Sequence, residues 1–145
     1  REIQKKLDLE AREQAELQAK MEAEKRRKQA IYDHNLLSVY QSEEDLLNER
    51  NKDLQYREKR IEILKSKRKG LQQRLQQVQQ QAADNELSGV GLSANLKSRL
   101  KAAQQELDNN QSSMEQLQTE IETLNMQYDL DLQRLRELLG TDTTD

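Results

Sequence analysis

Apolar side chains recur at alternating steps of three and four residues along the last third of the chain. If Leu100 occupies position a of a heptad, six successive a positions are apolar or aromatic, and only Asn110 and Asp131 interrupt position d. The a positions are Leu100, Leu107, Met114, Ile121, Tyr128 and Leu135, and the remaining d positions are Leu96, Ala103, Leu117, Leu124 and Leu138. This seam predicts a long helix that buries a narrow stripe against another helix.

A second seam precedes the first and carries three arginines. One heptad position holds Leu47, Leu54, Ile61, Arg68, Leu75 and Ala82, and the other holds Arg50, Arg57, Leu64, Leu71 and Val78. Ser42 is followed by three acidic residues. It predicts the start of this helix, because a hydroxyl caps the first backbone N–H groups and carboxylates favour the positive end of the helix dipole.

Residues 85–92 separate the seams and hold two of the four glycines in the chain. We predict a turn here, formed by Ser88, Gly89, Val90 and Gly91. Two seams joined by a short loop indicate an antiparallel hairpin, in which the numbers of facing residues add to 178 about a centre at Gly89. Leu75 then faces Ala103, and Ala82 faces Leu96.

Charge and polar positions agree with this register. Residues 57–74 have a net charge of +6, and the facing residues 104–121 have a net charge of −4. Exposed ion pairs contribute little stability, so we interpret this pattern as a selector of register and orientation. Within the seam, Arg68 meets Asn110, and we expect Arg50 to reach Asp131 near the open end, where polar layers specify register.

The predicted fold is therefore all-α: a long antiparallel helical hairpin, forming an intramolecular two-stranded coiled coil over residues 42–139. Its arms cover residues 42–84 and 93–139, with the turn at 85–92 and a polar tail at 140–145. Residues 1–41 form a charged helical extension. Their apolar spacing is sparse and no arm lies opposite, so we expect a helix that either frays or dimerises. Gly70, inside the first arm, would permit a local bend.

Composition limits the chemistry. The chain is 35% charged and 33% hydrophobic, and it has no proline, cysteine, tryptophan or phenylalanine, so it cannot build a compact globular core. His34 is the single histidine, which excludes a zinc site and a Cys–His nucleophile. We predict no catalytic, cofactor or metal site, no enzyme activity, and no membrane insertion, because no apolar run approaches the length of a membrane span.

A protein partner is the remaining expectation. We consider self-association through residues 1–41, and contacts at the hairpin tip through Leu87, Val90 and Leu92. A hairpin that docks by its tip onto a channel, as a transport-complex adaptor, is one alternative function. A nucleic-acid-binding rod is another, but the basic runs 25–28 and 65–69 lack interleaved aromatic residues, and the second faces an acidic arm.

Several stretches resemble the C-terminal coiled-coil region of uncharacterised proteobacterial envelope proteins, which carry an N-terminal signal peptide and a small β-rich domain of unknown function. The matching residues are Leu37, Tyr40 to Asp45, Arg50, Leu54, Tyr128 to Asp131 and Arg134 to Leu138. The family turn often contains proline, which the present turn lacks. The resemblance implies a structural or protein-interaction role in the periplasm or cell envelope.

Overall fold

The computed structural model describes residues 1–141, which form three α-helices and no strand. Helix α1 covers Glu2–Val39, α2 covers Glu43–Leu87 and α3 covers Ala94–Leu139. The contacts between α2 and α3 are those of a helical hairpin, preceded by an N-terminal helix. The predicted fold class is confirmed.

Two compact units can be distinguished by their internal contacts. The hairpin unit is Leu47–Tyr128, and the terminal unit combines Arg1–Leu46 with Asp129–Asp145. The hairpin unit contains the turn and the facing parts of α2 and α3, whereas the terminal unit contains α1, the start of α2 and the end of α3.

Burial in the hairpin unit follows the predicted seams. Its buried apolar side chains are Leu75, Val78, Ala82, Leu96, Ala103, Met114, Leu117 and Tyr128. Val78, Ala82 and Leu96 form one cluster, against which Leu92 and Leu100 pack. This cluster contains facing pairs of the predicted register, so the register is confirmed beside the turn.

Helix α2 ends in a turn that requires glycine. Gly89 has φ 75, a left-handed conformation that costs other residues about 1–2 kcal/mol. The Gly89 N–H donates to the carbonyl of Glu86 at 3.1 Å, and the Val90 N–H donates to the carbonyl of Asn85 at 3.0 Å. These two bonds define a Schellman motif. Because this motif closes the last turn, α2 continues to Leu87 rather than ending at the predicted residue 84.

Helix α3 ends in the same way. Gly140 has φ 70, and its N–H donates to the carbonyl of Glu137, while the Thr141 N–H donates to the carbonyl of Arg136 at 2.9 Å. The glycine therefore stops α3 where the sequence predicted a helix end. Residues 142–145 of the predicted polar tail lie outside the described residues.

Serine hydroxyls cap the starts of α2 and α3. The Ser42 Oγ accepts a hydrogen bond from the Asp45 N–H at 3.2 Å, and the Asp45 carboxylate accepts one from the Gln41 N–H at 3.0 Å. The Ser93 Oγ accepts from the Leu96 N–H at 3.1 Å. Each hydroxyl satisfies an N–H that has no partner within its helix. The cap predicted at Ser42 is confirmed.

Burial near the start of α2 differs by one residue from the predicted seam. Leu47, assigned to the seam, is 37% exposed, whereas Leu46 is completely buried. In α3, Leu132 is buried beside the seam position Asp131. The terminal unit contains a third helix, whose Leu36 is also buried. Packing among three helices buries a wider stripe than a two-helix seam does, and this explains the shift.

Alanine should have opposite effects on the free energy of unfolding at Gly70, within α2, and at Gly89, in the turn that follows it. Gly70 lies within α2, and an added Cβ there would meet nothing within 4 Å. We expect Gly70→Ala to raise the free energy of unfolding by about 0.5–1 kcal/mol, because alanine loses less backbone entropy in a helix. Gly89→Ala should lower it by about 1–2 kcal/mol, since its φ is positive. Urea unfolding followed by circular dichroism measures both, and equal effects of the two substitutions would contradict this assignment.

Candidate functional site

The hairpin tip exposes two apolar side chains. Leu87 is 87% exposed and Val90 is 77% exposed. Leu92, predicted as a third tip contact, is instead partly buried and packs against the cluster of Val78, Ala82 and Leu96. The prediction for Leu92 is therefore corrected: its side chain completes the core beside the turn. Leu87 and Val90 remain available to another molecule.

Asn110 forms a buried polar layer in the hairpin unit. Its side chain is 5% exposed, and its Nδ2 donates to the backbone carbonyl of Leu64 at 3.0 Å. Its Oδ1 is buried without a hydrogen-bond partner. Arg68 was predicted to meet this side chain, but it does not donate to that oxygen. Asn110 therefore fixes the arms through the α2 backbone, an acceptor that no sequence pattern indicates.

Three arginines of α2 bind polar groups of α3 within the hairpin unit. Arg57 Nε lies 3.2 Å from a Glu120 carboxylate oxygen, and Arg74 Nη1 lies 3.3 Å from one of Glu106. Arg50 Nη2 donates to Asn125 Oδ1 at 2.9 Å. The first two contacts join the basic and acidic segments as predicted. Because these groups are partly exposed, their contribution is orientation more than stability.

The terminal unit contains a group of polar side chains that we call the terminal polar cluster: Tyr32, Asp33, Asp131, Arg134 and Glu137. The Tyr32 hydroxyl donates to the Asp131 carboxylate. Arg134 donates to both carboxylate oxygens of Asp33, at 2.7 Å and 2.8 Å, and to Glu137 at 2.8 Å. The bonds to Asp131 and Asp33 tie the end of α1 to the end of α3. The expectation that residues 1–41 have no partner within the chain is wrong for this part of α1.

The contacts in the terminal polar cluster favour the ionised forms of Asp33 and Arg134 and the neutral form of Tyr32. Burial, followed by the hydrogen bond to Asp131, raises the pKa of the Tyr32 hydroxyl, and the Arg134 guanidinium lowers the pKa of the Asp33 carboxyl. Hydrogen bonds to Asp33 and Glu137 raise the pKa of Arg134. Each of these three shifts moves a pKa away from neutral pH.

Sequence reasoning missed the terminal polar cluster. It placed Asp131 in the hairpin seam and gave Tyr32 and Asp33 no role. One signal was available: Leu36 lies five residues after Ile31, about 140° around the helix at 3.6 residues per turn. An apolar side chain so far from the stripe indicates a second contact face on α1.

Other side chains that carry chemistry are not assembled into a site. His34 is exposed on α1. Among the described residues, no group of three or more His, Cys, Asp and Glu side chains is placed to hold a metal ion. None of the helices within residues 1–141 has a stretch that is both long and apolar enough to cross a membrane.

Comparisons of the chain with protein-family models, with curated proteins and with solved structures find no match. The family resemblance and the location that it implies therefore stay expectations. Exposed apolar side chains lie at the hairpin tip and along residues 1–31 of α1, and others, such as Ile63 and Met126, lie on the arms.

The pairing of Asp33 with Arg134 predicts a dependence on acid. Because the folded-state pKa of Asp33 is lowered, its stabilising effect is present above the ordinary carboxyl pKa of about 3.9 and is lost as the pH falls below it. We expect Asp33→Asn to unfold at lower urea concentration than the natural chain near neutral pH, with a difference that stays constant down to about pH 5 and narrows as the pH falls from there to about pH 3. Asp8→Asn, on the exposed part of α1, is the control. A constant difference across this pH range would contradict the assignment.

Proposed function

We propose that this chain is a non-enzymatic structural and protein-interaction module, built as a coiled-coil hairpin that carries an accessible helix. One observation carries the proposal. Residues 2–31 are helical and every residue from 1 to 31 is exposed, although the segment bears large apolar side chains. A helix without packing partners gains little stability from its own sequence. Apolar groups exposed along such a helix are typical of a surface that another protein covers.

The distribution of polar contacts supports this role. Several ionised side chains bind acidic residues of another helix. Examples are Arg57, Arg74 and Arg134. The basic segment of α2 meets acidic residues of α3, which leaves little support for the nucleic-acid-binding alternative. The surface of α1 and the hairpin tip are the interaction surfaces proposed here.

Residence in the periplasm or cell envelope is part of the proposal. It rests on the resemblance of Tyr40 to Asp45 and of Tyr128 to Leu138 to the envelope proteins described above. In that setting, the hairpin acts as a spacer and α1 as the contact surface.

The second candidate function is docking by the tip, as in a transport-complex adaptor. The exposure of Leu87 and Val90 favours it, because two bare apolar side chains beside a rigid turn suit an apolar pocket of a partner. The tip and α1 are separate surfaces, so substitutions can distinguish the two functions.

Capture of partners from a cell-envelope extract tests both. With the full chain as bait, we expect Leu17→Ser/Met21→Ser, on exposed α1, to reduce capture at least fivefold, because loss of one or two central apolar contacts costs about 1 kcal/mol or more. Leu87→Ser/Val90→Ser should leave capture unchanged. The matched control is Ile63→Ser/Met126→Ser, which alters two exposed apolar side chains on the arms.

If only Leu87→Ser/Val90→Ser lost capture, the leading proposal would be wrong and docking by the tip would take its place. Capture that survives both variants would contradict both proposals.

A further inference from the structure

The exposed part of α1 carries a seam that no other part of the described chain covers. We call it the α1 seam. Its positions, at steps of four and three residues, are Ile3, Leu7, Glu10, Gln14, Leu17, Met21, Glu24, Lys28, Ile31 and Asn35. The five apolar members are between 48% and 77% exposed. Stripes of this spacing bury themselves against a second helix.

The α1 seam is distinct from the face of α1 that packs within the chain. Leu36 is buried, and Tyr32 and Asp33 form hydrogen bonds with Asp131 and Arg134 of α3. Leu36 lies about 140° around the helix from Ile31. Contact with α3 therefore leaves the α1 seam accessible.

We propose that the α1 seam binds the α1 seam of a second copy of this chain, antiparallel, with facing residue numbers that add to 38. This proposal deepens the function proposed above by naming the partner. In this register Leu17 faces Met21 of the second copy, and Leu7 faces Ile31. Symmetry forms each pair twice, so that apolar side chains meet at the centre of the interface and again toward both ends.

Charge complementarity supports this register. Glu10 faces Lys28 of the second copy, so an acid meets a base, and Glu24 faces Gln14, whose amide can donate to a carboxylate. Glu24 is already bound by Arg27 at 2.6 Å within its own helix, which satisfies part of its charge. The polar residues that interrupt the apolar positions of the α1 seam are thus the residues that select its partner and register.

Other arrangements of the same seam are poorer. In a parallel pair, Glu10, Glu24 and Lys28 would each face an identical charge. An antiparallel pair displaced by one heptad would place Leu17 against Lys28 or against Gln14. The proposed register leaves one mismatch, in which Ile3 faces Asn35 at the ends of the interface, where it costs least.

Charge reversal in the full chain tests the register by sedimentation equilibrium. Glu10→Lys creates two facing Lys–Lys layers in each dimer, and we expect it to weaken dimerisation at least about tenfold. Glu10→Lys/Lys28→Glu should restore the affinity to within about threefold of the natural chain. Glu16→Lys, which reverses a charge away from the seam, is the matched control, and circular dichroism verifies helix content. A double variant as weak as the single variant would overturn the register.

Cysteine pairs test the orientation, because the chain has no natural cysteine. When chains with Leu17→Cys and chains with Met21→Cys are mixed under thiol exchange, the proposed dimer predicts the mixed disulfide as the main product, since these positions face each other. Disulfides formed only between identical chains would indicate a parallel dimer and overturn the proposal.

A chain that stays monomeric at high micromolar concentration would also overturn the proposed dimer. It would leave the proposed function standing if Leu17→Ser/Met21→Ser still abolished capture of a different protein. The two failures are therefore distinguishable.

Discussion

The structure depends on apolar layers that α2 and α3 share at mirror-image positions about the turn. The chain has no phenylalanine or tryptophan and is only 33% hydrophobic, so these layers are its main source of stabilising burial. Most of the stability of a helix in a protein comes from such packing. A slip of one heptad in one arm would set Arg68 against Leu117 or Ala103 instead of Asn110, and this cost favours the observed register. The turn at Gly89 is important because it reverses the chain at the point where the two arms pair in that register.

Polar groups in this molecule select one register and orientation of the helices. Burial of apolar side chains alone would allow several registers of similar stability. Asn110 binds the α2 backbone inside the seam, Arg57 and Arg74 bind acids of α3 at its edges, and Asp33 with Arg134 ties α1 to the end of α3. The same logic extends to the proposed pairing of the α1 seam, in which Glu10, Glu24 and Lys28 disfavour a parallel arrangement.

Most of the hairpin could be predicted from the sequence, because heptad spacing reports directly which residues face another helix. The cap at Ser42, the turn at Gly89 and the buried pair Leu75 and Ala103 follow from such local rules. The terminal unit could not be predicted in the same way. Its third helix changes which side chains are buried, as at Leu46, and its hydrogen bonds join residues about 100 positions apart, as between Tyr32 and Asp131. Two-helix periodicity contains no information about either feature.

A disulfide between the arms tests the central claim most directly. Leu75→Cys/Ala103→Cys places two thiols at facing buried positions of one chain, close enough in the proposed register for a disulfide. Oxidation at low protein concentration should give an intrachain disulfide in a monomer. Leu75→Cys/Asn110→Cys, one heptad out of register, should give little of it. Disulfides that form only between chains, or equally in both variants, would contradict the hairpin register on which this account rests.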